Sequence, residues 1–217
     1  MRFEYNDALY RSRNTILNIL DEQGFEVSRF RGFSPKEVEA MTINLTIAQI
    51  DTSHKTDEKR KARVLYYQGH FNRKGTDKLV KLLQLGFVEE DEQMPEEEAL
   101  KFTCYVMTNE PVTDVHNLES VNMWNKYNMR VYFCCIYNFV NNPMNHVLVP
   151  KHEIVPSEQH DLLLKELLIT SKAQLPIIRY HVDPITKCLG AVPKDIIKIT
   201  RPSPSAGEYI VYRICAP

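Results

Sequence analysis

Two nearly unbroken apolar segments constrain the fold more than any other feature of this chain. They are KFTCYVM (101–107) and RVYFCCIY (130–137), both rich in aromatic and β-branched residues. Strands of this composition are typically covered on both faces of a sheet. Residues 114–126, between the two segments, favour a helix, and strands separated by helices indicate a mixed or parallel sheet. We therefore expect an α/β domain over residues 1–141.

The segment that precedes these strands carries helix signals. Residues 5–23 repeat apolar side chains at helical spacing, and Gly24 follows where a C-terminal cap is expected. Ser34, Pro35 and Glu37 combine an N-cap, a proline at the first helical position and the acid of a capping box, which predicts a short second helix. The other elements predicted before residue 101 are strands at 42–47 and 63–67 and a helix at 76–85.

The C-terminal third predicts a second, smaller domain over residues 145–217. The boundary is indicated by the turn sequence Asn141-Asn142-Pro143. Beyond it, Ser157 is predicted to cap a helix that carries five leucines, and so apolar a helix is expected to be well buried. The five leucines are Leu162, Leu163, Leu164, Leu167 and Leu168.

The end of the chain predicts one more helix and two strands. Asp183 and Pro184 fit the cap and the first turn of a short helix that ends at Gly190. Residues 195–200 and 208–215 alternate as strands do. The second domain is therefore expected to be a small mixed α/β unit, and the chain as a whole to be α+β.

The loop that joins these strands, RPSPSAG (201–207), argues against a phosphate site. A phosphate cradle needs several glycines and a helix after them. This loop has Gly207 alone, two prolines, and a strand after it. Gly207 is instead predicted to take a positive φ where the chain enters the strand. The dipeptide Ser203-Pro204 matches a proline-directed kinase site, although such dipeptides are common by chance.

Charge and cysteine content narrow the class of protein. The formal net charge is -1, so the chain as a whole has no electrostatic preference for nucleic acid. Residues 54–63 are basic and residues 88–98 are acidic, and such runs are typical of solvated loops. Five cysteines without C-x-x-C spacing predict reduced thiols. No apolar run approaches the roughly 18 residues of a membrane span, which predicts a soluble intracellular protein.

The sequence offers little chemistry. The nearest histidines, His146 and His152, lack the spacing of a helical metal site, so we predict no metal, no cofactor and no catalytic residue. One alternative is a magnesium-dependent nuclease built on Asp51, Asp57 and Lys59. That site would need strand alternation around its second acid and its lysine, and this hydrophilic segment shows none.

Three C-terminal segments together resemble a known family. HVLVPKHEIV (146–155), QLPIIRYHVDPITKCLG (174–190) and DIIKITRPSPSAGEYIVYRIC (195–215) resemble the shared fifth subunit of the eukaryotic nuclear RNA polymerases, whose C-terminal domain is similar to a small subunit of the archaeal RNA polymerase. Ordered matches over three segments are more specific than any short motif. Pro193-Lys194-Asp195 and Glu208 stand where the family carries basic residues. These departures imply a diverged lineage, either an early-branching eukaryote or a large DNA virus with its own polymerase.

The resemblance implies a non-catalytic structural and assembly subunit of a multisubunit DNA-dependent RNA polymerase. The C-terminal domain would dock on the largest subunit, beside other polymerase subunits. The N-terminal domain would form part of a jaw near downstream DNA, with at most weak direct DNA binding. General transcription factors are further expected partners, whereas a membrane and a second copy of the chain are not. The expected location is the nucleus, or the virion or host cytoplasm for a viral protein.

Docking by this resemblance would rest on ten residues of the C-terminal domain. They are His152, Asp183, Pro184, Lys198, Arg201, Ser203, Gly207, Tyr209, Tyr212 and Arg213. An exposed strand edge with aromatic anchors is what a docking module needs, and the strand at 208–215 is expected to supply both. A free-standing adaptor that binds transcription factors is the remaining alternative.

Overall fold

The protein has an α+β fold with two compact units. The computed structural model describes residues 2–43, 49–67, 102–127 and 129–216. The units are Met1–Asn141 and Asn142–Pro217, and each contains a sheet with four described strands. The predicted fold class is thereby confirmed. The helix predicted at 76–85 and the acidic run at 88–98 lie outside the described residues.

The elements follow one another in chain order. The described helices are α1 (Arg2–Glu22), α2 (Pro35–Ile43), α3 (Asp114–Tyr127), α4 (His160–Glu166) and α5 (Pro184–Leu189). The described strands are β1 (Gln49–Ser53), β2 (Lys61–Tyr67), β3 (Phe102–Thr108), β4 (Arg130–Cys135), β5 (Lys151–Val155), β6 (Ile177–Arg179), β7 (Ile196–Ser203) and β8 (Gly207–Ala216). Short 3₁₀ turns lie at Ser28–Phe30, Ile136–Phe139, Pro143–Asn145, Ser157–Gln159 and Lys172–Gln174.

The sequence signals correctly predict the end of the first helix and the start of the second. Gly24 follows α1 with φ +91°, a conformation that only glycine adopts without strain. At the start of α2, the Glu37 carboxylate accepts from the Ser34 amide at 2.7 Å and from its hydroxyl at 2.8 Å. This capping interaction, with Pro35 in the first position, confirms the predicted second helix.

The strand predicted from Thr42 is wrong at its first two residues. Thr42 and Ile43 belong to α2, because the helix started at Ser34 continues through them. Residues 44–48 lie outside the described residues, and β1 begins at Gln49. An alternation of three apolar residues was too short a signal to locate the helix end.

The sheet of the first unit is mixed and is covered on both faces, as predicted. Its strand order is β1-β2-β3-β4, with β1 antiparallel to β2 and the other pairs parallel. Every residue of β3 is buried. Val106 packs in a cluster with Met123 of α3 on one face. Tyr105, on the opposite face, is hydrogen-bonded to Gln23, just after α1, at 2.9 Å. The continuous apolar character of β3 therefore reflects burial from two sides.

The sheet of the second unit has the order β5-β7-β8-β6. Strands β5, β7 and β8 pair antiparallel, whereas the short β6 lies parallel to β8. Leu163 of α4 packs with Ile196 and Ile214 on one face. Ile197 and Ile199 alternate with that set, point to the other face, and are also buried. At the end where β5 and β6 lie, the sheet is therefore covered on both faces.

The prediction that the leucine-rich helix is well buried is wrong. Only Leu163 joins the core, whereas Leu162 is 62% exposed and Leu168 is 92% exposed. The helix is short because Leu168 takes φ +56° and ends it. The Ser157 side chain also caps no α-helix, since its residue belongs to a 3₁₀ turn without a side-chain cap. Only three of the five leucines lie on the helix, and three consecutive helical residues point in different directions, so they cannot all face one core.

Candidate docking surface

The strands β7 and β8 form a hairpin that extends past its neighbouring strands. They pair from Ile196 opposite Ile214 to Ser203 opposite Gly207. The partner of β7 on its other side, β5, reaches only to Thr200, and the partner of β8, β6, pairs with it only from Ile214 onward. We call the part beyond these neighbours, residues 201–213, the hairpin arm.

The turn at the tip of the hairpin arm explains two of the predicted docking residues by local structure. The Ser203 hydroxyl accepts from the Ala206 amide at 3.3 Å, and the Glu208 amide donates to the Ala206 carbonyl at 2.9 Å. Gly207 has φ +74°, which confirms the positive φ predicted for it. Ser203 and Gly207 thus shape the turn, and Glu208 is an exposed position beside it.

The exposed side chains of the hairpin arm are cationic, aromatic and aliphatic. Arg201 lies opposite Tyr209, and both are exposed, Tyr209 to 60%. The neighbouring Ile210, on the other face of the arm, is 43% exposed. These three residues give the arm a surface that the described part of its own unit leaves uncovered.

Two predicted docking residues on the same strands are partly engaged within the unit. Arg213 donates from Nη1 to the Ile177 carbonyl at 3.0 Å, which links β8 to β6. Tyr212 packs against the apolar cluster around Leu163. Both side chains are half-buried. They connect the root of the hairpin arm to the rest of the sheet.

A pair of opposite charges lies across strands β5 and β7 near the root of the hairpin arm. Lys198 lies between Glu153 of β5 and Tyr212 of β8. The pKa of Glu153 is lowered, first by its hydrogen bond from Lys151 and further by the charges of Lys151 and Lys198. Lys198 therefore has an acidic neighbour within its own sheet, whereas the cross-strand neighbour of the exposed Arg201 is a tyrosine.

The remaining predicted docking residues lie away from the hairpin arm. Asp183 caps α5 by accepting from the amides of Ile185 at 2.8 Å and Thr186 at 3.3 Å, with Pro184 as the first helical residue. Their predicted capping role is confirmed, as is the helix end at Gly190, which has φ +67°. His152 donates from Nδ1 to the Pro150 carbonyl at 2.7 Å. All of these contacts stabilise the unit itself.

Sequence reasoning missed other exposed apolar residues of the second unit. Val147 is 92% exposed and Leu148 is 82% exposed, in the turn closed by the Val149 amide and the His146 carbonyl. Leu162 and Leu168 are also exposed. No periodicity marks them, because Val147 and Leu148 lie in a turn and Leu168 lies beyond a helix end.

Asp51, the first acid of the nuclease alternative, forms an ion pair with Arg63. The Asp51 carboxylate accepts from Arg63 at 2.6 Å and 3.1 Å in a two-bond contact. Arg63 belongs to β2 and is only 3% exposed, so the prediction of a solvated loop over 54–63 is wrong at its end. A carboxylate bound in this way is a poor magnesium ligand. Within the described ranges, no three histidine, cysteine or acidic side chains are grouped as a metal site.

The cysteines are core residues in the reduced state. All five are free and buried. Burial raises the pKa of Cys215 to about 12, and the nearby Asp195 and Asp183 add to this effect. Burial likewise raises the pKa of the Cys104 thiol. Thiols held in the protonated form are weak nucleophiles. In the described part of the chain, no helix has the length and apolar character that a bilayer span requires.

The segment that contains the hairpin arm matches known proteins. Residues 141–215 match the family described as RNA polymerase Rpb5, C-terminal domain. A protein of Sulfolobus acidocaldarius named DNA-directed RNA polymerase subunit Rpo5 is 56% identical over 69 residues, which are 32% of this chain and 80% of that protein. The subunits of the same name from Pyrococcus horikoshii and Methanocaldococcus jannaschii are 52% and 46% identical over 73 and 70 residues, covering 34% and 32% of this chain and 87% of each relative.

All ten predicted docking residues fall inside the matched segment. The chain covers most of each relative, whereas each relative covers only about a third of the chain. The similarity is thus that of the second unit to most of a small archaeal subunit. By this similarity the chain belongs to the RNA polymerase Rpb5 family, whose C-terminal domain it carries.

Proposed function

We propose that this chain is a non-catalytic structural and assembly subunit of a multisubunit DNA-dependent RNA polymerase. One observation carries the proposal: the exposed hairpin arm lies inside the segment shared with relatives that are named as polymerase subunits. Tyrosine and arginine are enriched where proteins bind one another, and the arm exposes Tyr209 and Arg201. Binding to other subunits is therefore the activity that this surface supports best.

The proposed partner of the second unit is the largest polymerase subunit. Between residues 196 and 216 the chain carries Lys198, Arg201 and Arg213, with Glu208 as the single acid. A surface of this charge favours a neutral or acidic partner segment. The exposed Val147 and Leu148 would extend the contact with apolar area. General transcription factors would then meet the subunit only in the assembled enzyme.

The proposed role of the first unit is that of a jaw element beside downstream DNA. The loop between β1 and β2 exposes Lys55 and Lys59. The Lys55 ammonium is bound to Asp21 at 2.6 Å, which neutralises part of this charge. Affinity for DNA grows with the number of phosphates that cations neutralise. Because Lys55 is paired and Asp57 and Glu58 lie in the same loop, the local charge supports a position near the duplex with weak binding, rather than a strong DNA site.

The experiment that tests the docking proposal is co-purification of the tagged full-length chain from its native cell. The largest polymerase subunit is expected in the eluate at close to one copy per chain. The variants Arg201→Ala and Tyr209→Ala should recover several-fold less of it, because truncating an interface tyrosine or arginine often costs more than about 1 kcal/mol of binding free energy. The matched control is Tyr137→Ala, which removes a tyrosine that is 50% exposed in the first unit.

The outcomes separate the alternatives. A wild-type chain that recovers no large polymerase subunit would contradict the assembly role and favour a free-standing adaptor. Wild-type recovery by both arm variants would leave a polymerase subunit that docks through another surface. The nuclear location, and the diverged or viral lineage that the resemblance implies, remain predictions that imaging and the source genome would test.

A further inference from the structure

The backbone groups along β8 alternate between its two neighbours. The Ile214 amide donates to the Pro176 carbonyl at 2.9 Å, on the β6 side. The next amide, that of Cys215, donates to the Asp195 carbonyl at 2.8 Å, on the β7 side. In an antiparallel pair, residues two apart repeat the same orientation. The N–H and C=O groups of Tyr212 and Ile210 therefore point away from β7, as those of Ile214 do.

The side to which these groups point is open. Strand β6 pairs with β8 only at residues 214–216, and no other described strand pairs with β8 on that side. Toward the tip, the Glu208 amide is already used by the Ala206 carbonyl. Ile210 thus presents its N–H and C=O groups, and Tyr212 its N–H group, to the open side, along the strand that exposes Ile210. The Tyr212 carbonyl faces Pro176, which leads into β6 and has no N–H to donate. An edge of this kind is a template for another strand.

The opposite edge of the hairpin arm is blocked by a proline. Pro202 of β7 lies opposite Glu208, two residues along the ladder from Thr200 opposite Ile210. The backbone nitrogen of Pro202 therefore points away from β8, as the Thr200 amide does. The proline ring thus occupies the outward side of β7, beyond the end of β5 at Thr200. Prolines at edge positions prevent strand addition. The arm closes one edge in this way, while the β8 edge carries no proline between Gly207 and Ala216.

We propose that the open edge of β8 at Ile210 and Tyr212 receives an extended segment of another polymerase chain as an added strand, in line with β6. This inference rests on the proposed function and specifies how the docking occurs. Main-chain hydrogen bonds supply affinity in such strand addition, and alternate side chains supply specificity. The added strand would form about three backbone hydrogen bonds, with the N–H and C=O of Ile210 and the N–H of Tyr212.

Charge and alternation define the chemistry of the occupant. Arg201, Tyr209 and Arg213 share one face of the hairpin arm, whereas Ile210 and Tyr212 share the other. The occupant segment should therefore carry a carboxylate on the first face and apolar side chains on the second. A second copy of β8 fits poorly, because the charged residue that it carries on this face is Arg213, a further cation and not a carboxylate.

The decisive experiment compares Ile210→Pro with Ile210→Ala. Proline removes the outward amide but no bond to β7, because the amide of Ile210 faces away from that strand. Alanine removes the side chain and keeps the amide. Binding is measured against the largest polymerase subunit of the same genome, and circular dichroism checks that both variants fold. We expect at least a tenfold loss of affinity for Ile210→Pro and less than a threefold loss for Ile210→Ala. Equal affinities of the two variants would overturn the inference.

Amide hydrogen exchange on the wild-type chain gives a second readout that needs no substitution. The amides of Ile210 and Tyr212 should exchange at least tenfold more slowly in the complex than in the free chain. Unchanged exchange in a complex that forms would overturn strand addition and leave the docking role intact. Failure of the wild-type chain to bind would instead overturn the proposed function. Slow exchange that appears with dimerisation of the isolated chain would identify a second copy as the occupant and overturn the inference.

Discussion

Strands β3 and β8 show how differently the two units use their sheets. Every residue of β3 is buried. One face packs against Met123 of α3, and on the other face Tyr105 is hydrogen-bonded to Gln23. By contrast, β8 is exposed over its first four residues and buried only near its end. In the described residues of the first unit, β3 is covered by elements of the same unit, whereas the second unit leaves part of β8 uncovered. The similarity to archaeal polymerase subunits lies in the unit with the uncovered strand.

The largest expected loss of stability comes from truncating the buried tyrosine of β3, and the comparison is the exposed tyrosine of β8. Tyr105→Ala removes a fully buried ring that contacts Tyr132 at a centroid distance of 5.2 Å. It should lower the free energy of unfolding by about 4 kcal/mol. Tyr209→Ala removes an exposed ring and should cost about 0.5 kcal/mol or less. Urea denaturation measures both values, and similar costs would contradict the contrast between the strands.

Glycines with positive φ should show the same contrast at a smaller scale. A Cβ at Gly24 would lie 2.6 Å from Nε2 of His54, whereas a Cβ at Gly207 meets nothing within 4 Å. Left-handed backbone costs a non-glycine residue about 1–2 kcal/mol. Gly207→Ala should cost only this strain, and Gly24→Ala about 3 kcal/mol, because the His54 ring must also move. Equal shifts in thermal midpoint would contradict the difference in local packing.

The Asp51–Arg63 pair offers a test within the first unit. Asp51→Asn keeps the size of the side chain and removes the charge that faces a guanidinium buried in the sheet. We expect a loss of about 2 kcal/mol, because Asp51 is itself partly exposed and water replaces some of the lost interaction. The matched control is Asp57→Asn, which alters an acid of the neighbouring loop. Equal stability of the two variants would show that the pair is not a stabilising contact.

The smallest predicted effect is a pH dependence in the second unit. Burial, and then the charges of Lys187 and Arg179, lower the pKa of His181. The folded state therefore binds fewer protons than the unfolded state as the pH falls below the ordinary histidine pKa of about 6.5. Stability is lost in that range, with a slope of at most about 1.4 kcal/mol per pH unit.

The variant His181→Phe isolates this contribution. It keeps a ring beside Tyr180, whose centroid lies 5.2 Å from that of His181. The urea midpoint of the wild type should fall relative to that of the variant as the pH falls from about 7.5 to about 5, because only the wild type gains a proton at this position on unfolding. A constant difference between them would show that this histidine is not the titrating group.

Local signals predicted the elements whose ends are determined by neighbouring residues. Gly24, the capping box of Ser34 and the Asp183 cap act within a turn of chain, and each was found where expected. The hairpin turn at Gly207 belongs to the same class. The burial of a residue that depends on a partner distant in sequence was less predictable. Arg63 reads as part of a charged run, and only its cross-strand neighbour Asp51 explains why it is buried.

The candidate surface was predictable in part. Alternation in residues 208–215 predicted a strand with exposed aromatic residues, and Tyr209 is exposed. The open edge depends on where β5 and β6 end, which no residue of β8 reveals. The exposed Leu168 was unpredictable for a related reason, since its position follows from where α4 ends.

The five buried thiols also allow the unfolding of each unit to be followed without an added label site. Cys104, Cys134 and Cys135 lie in the first unit, and Cys188 and Cys215 in the second. An alkylating reagent can modify them only when their unit opens, because the thiols are buried and the thiolate is the reactive form. A mass increase of three labels would report opening of the first unit, and one of two labels opening of the second. The order of those increases would show which unit opens first.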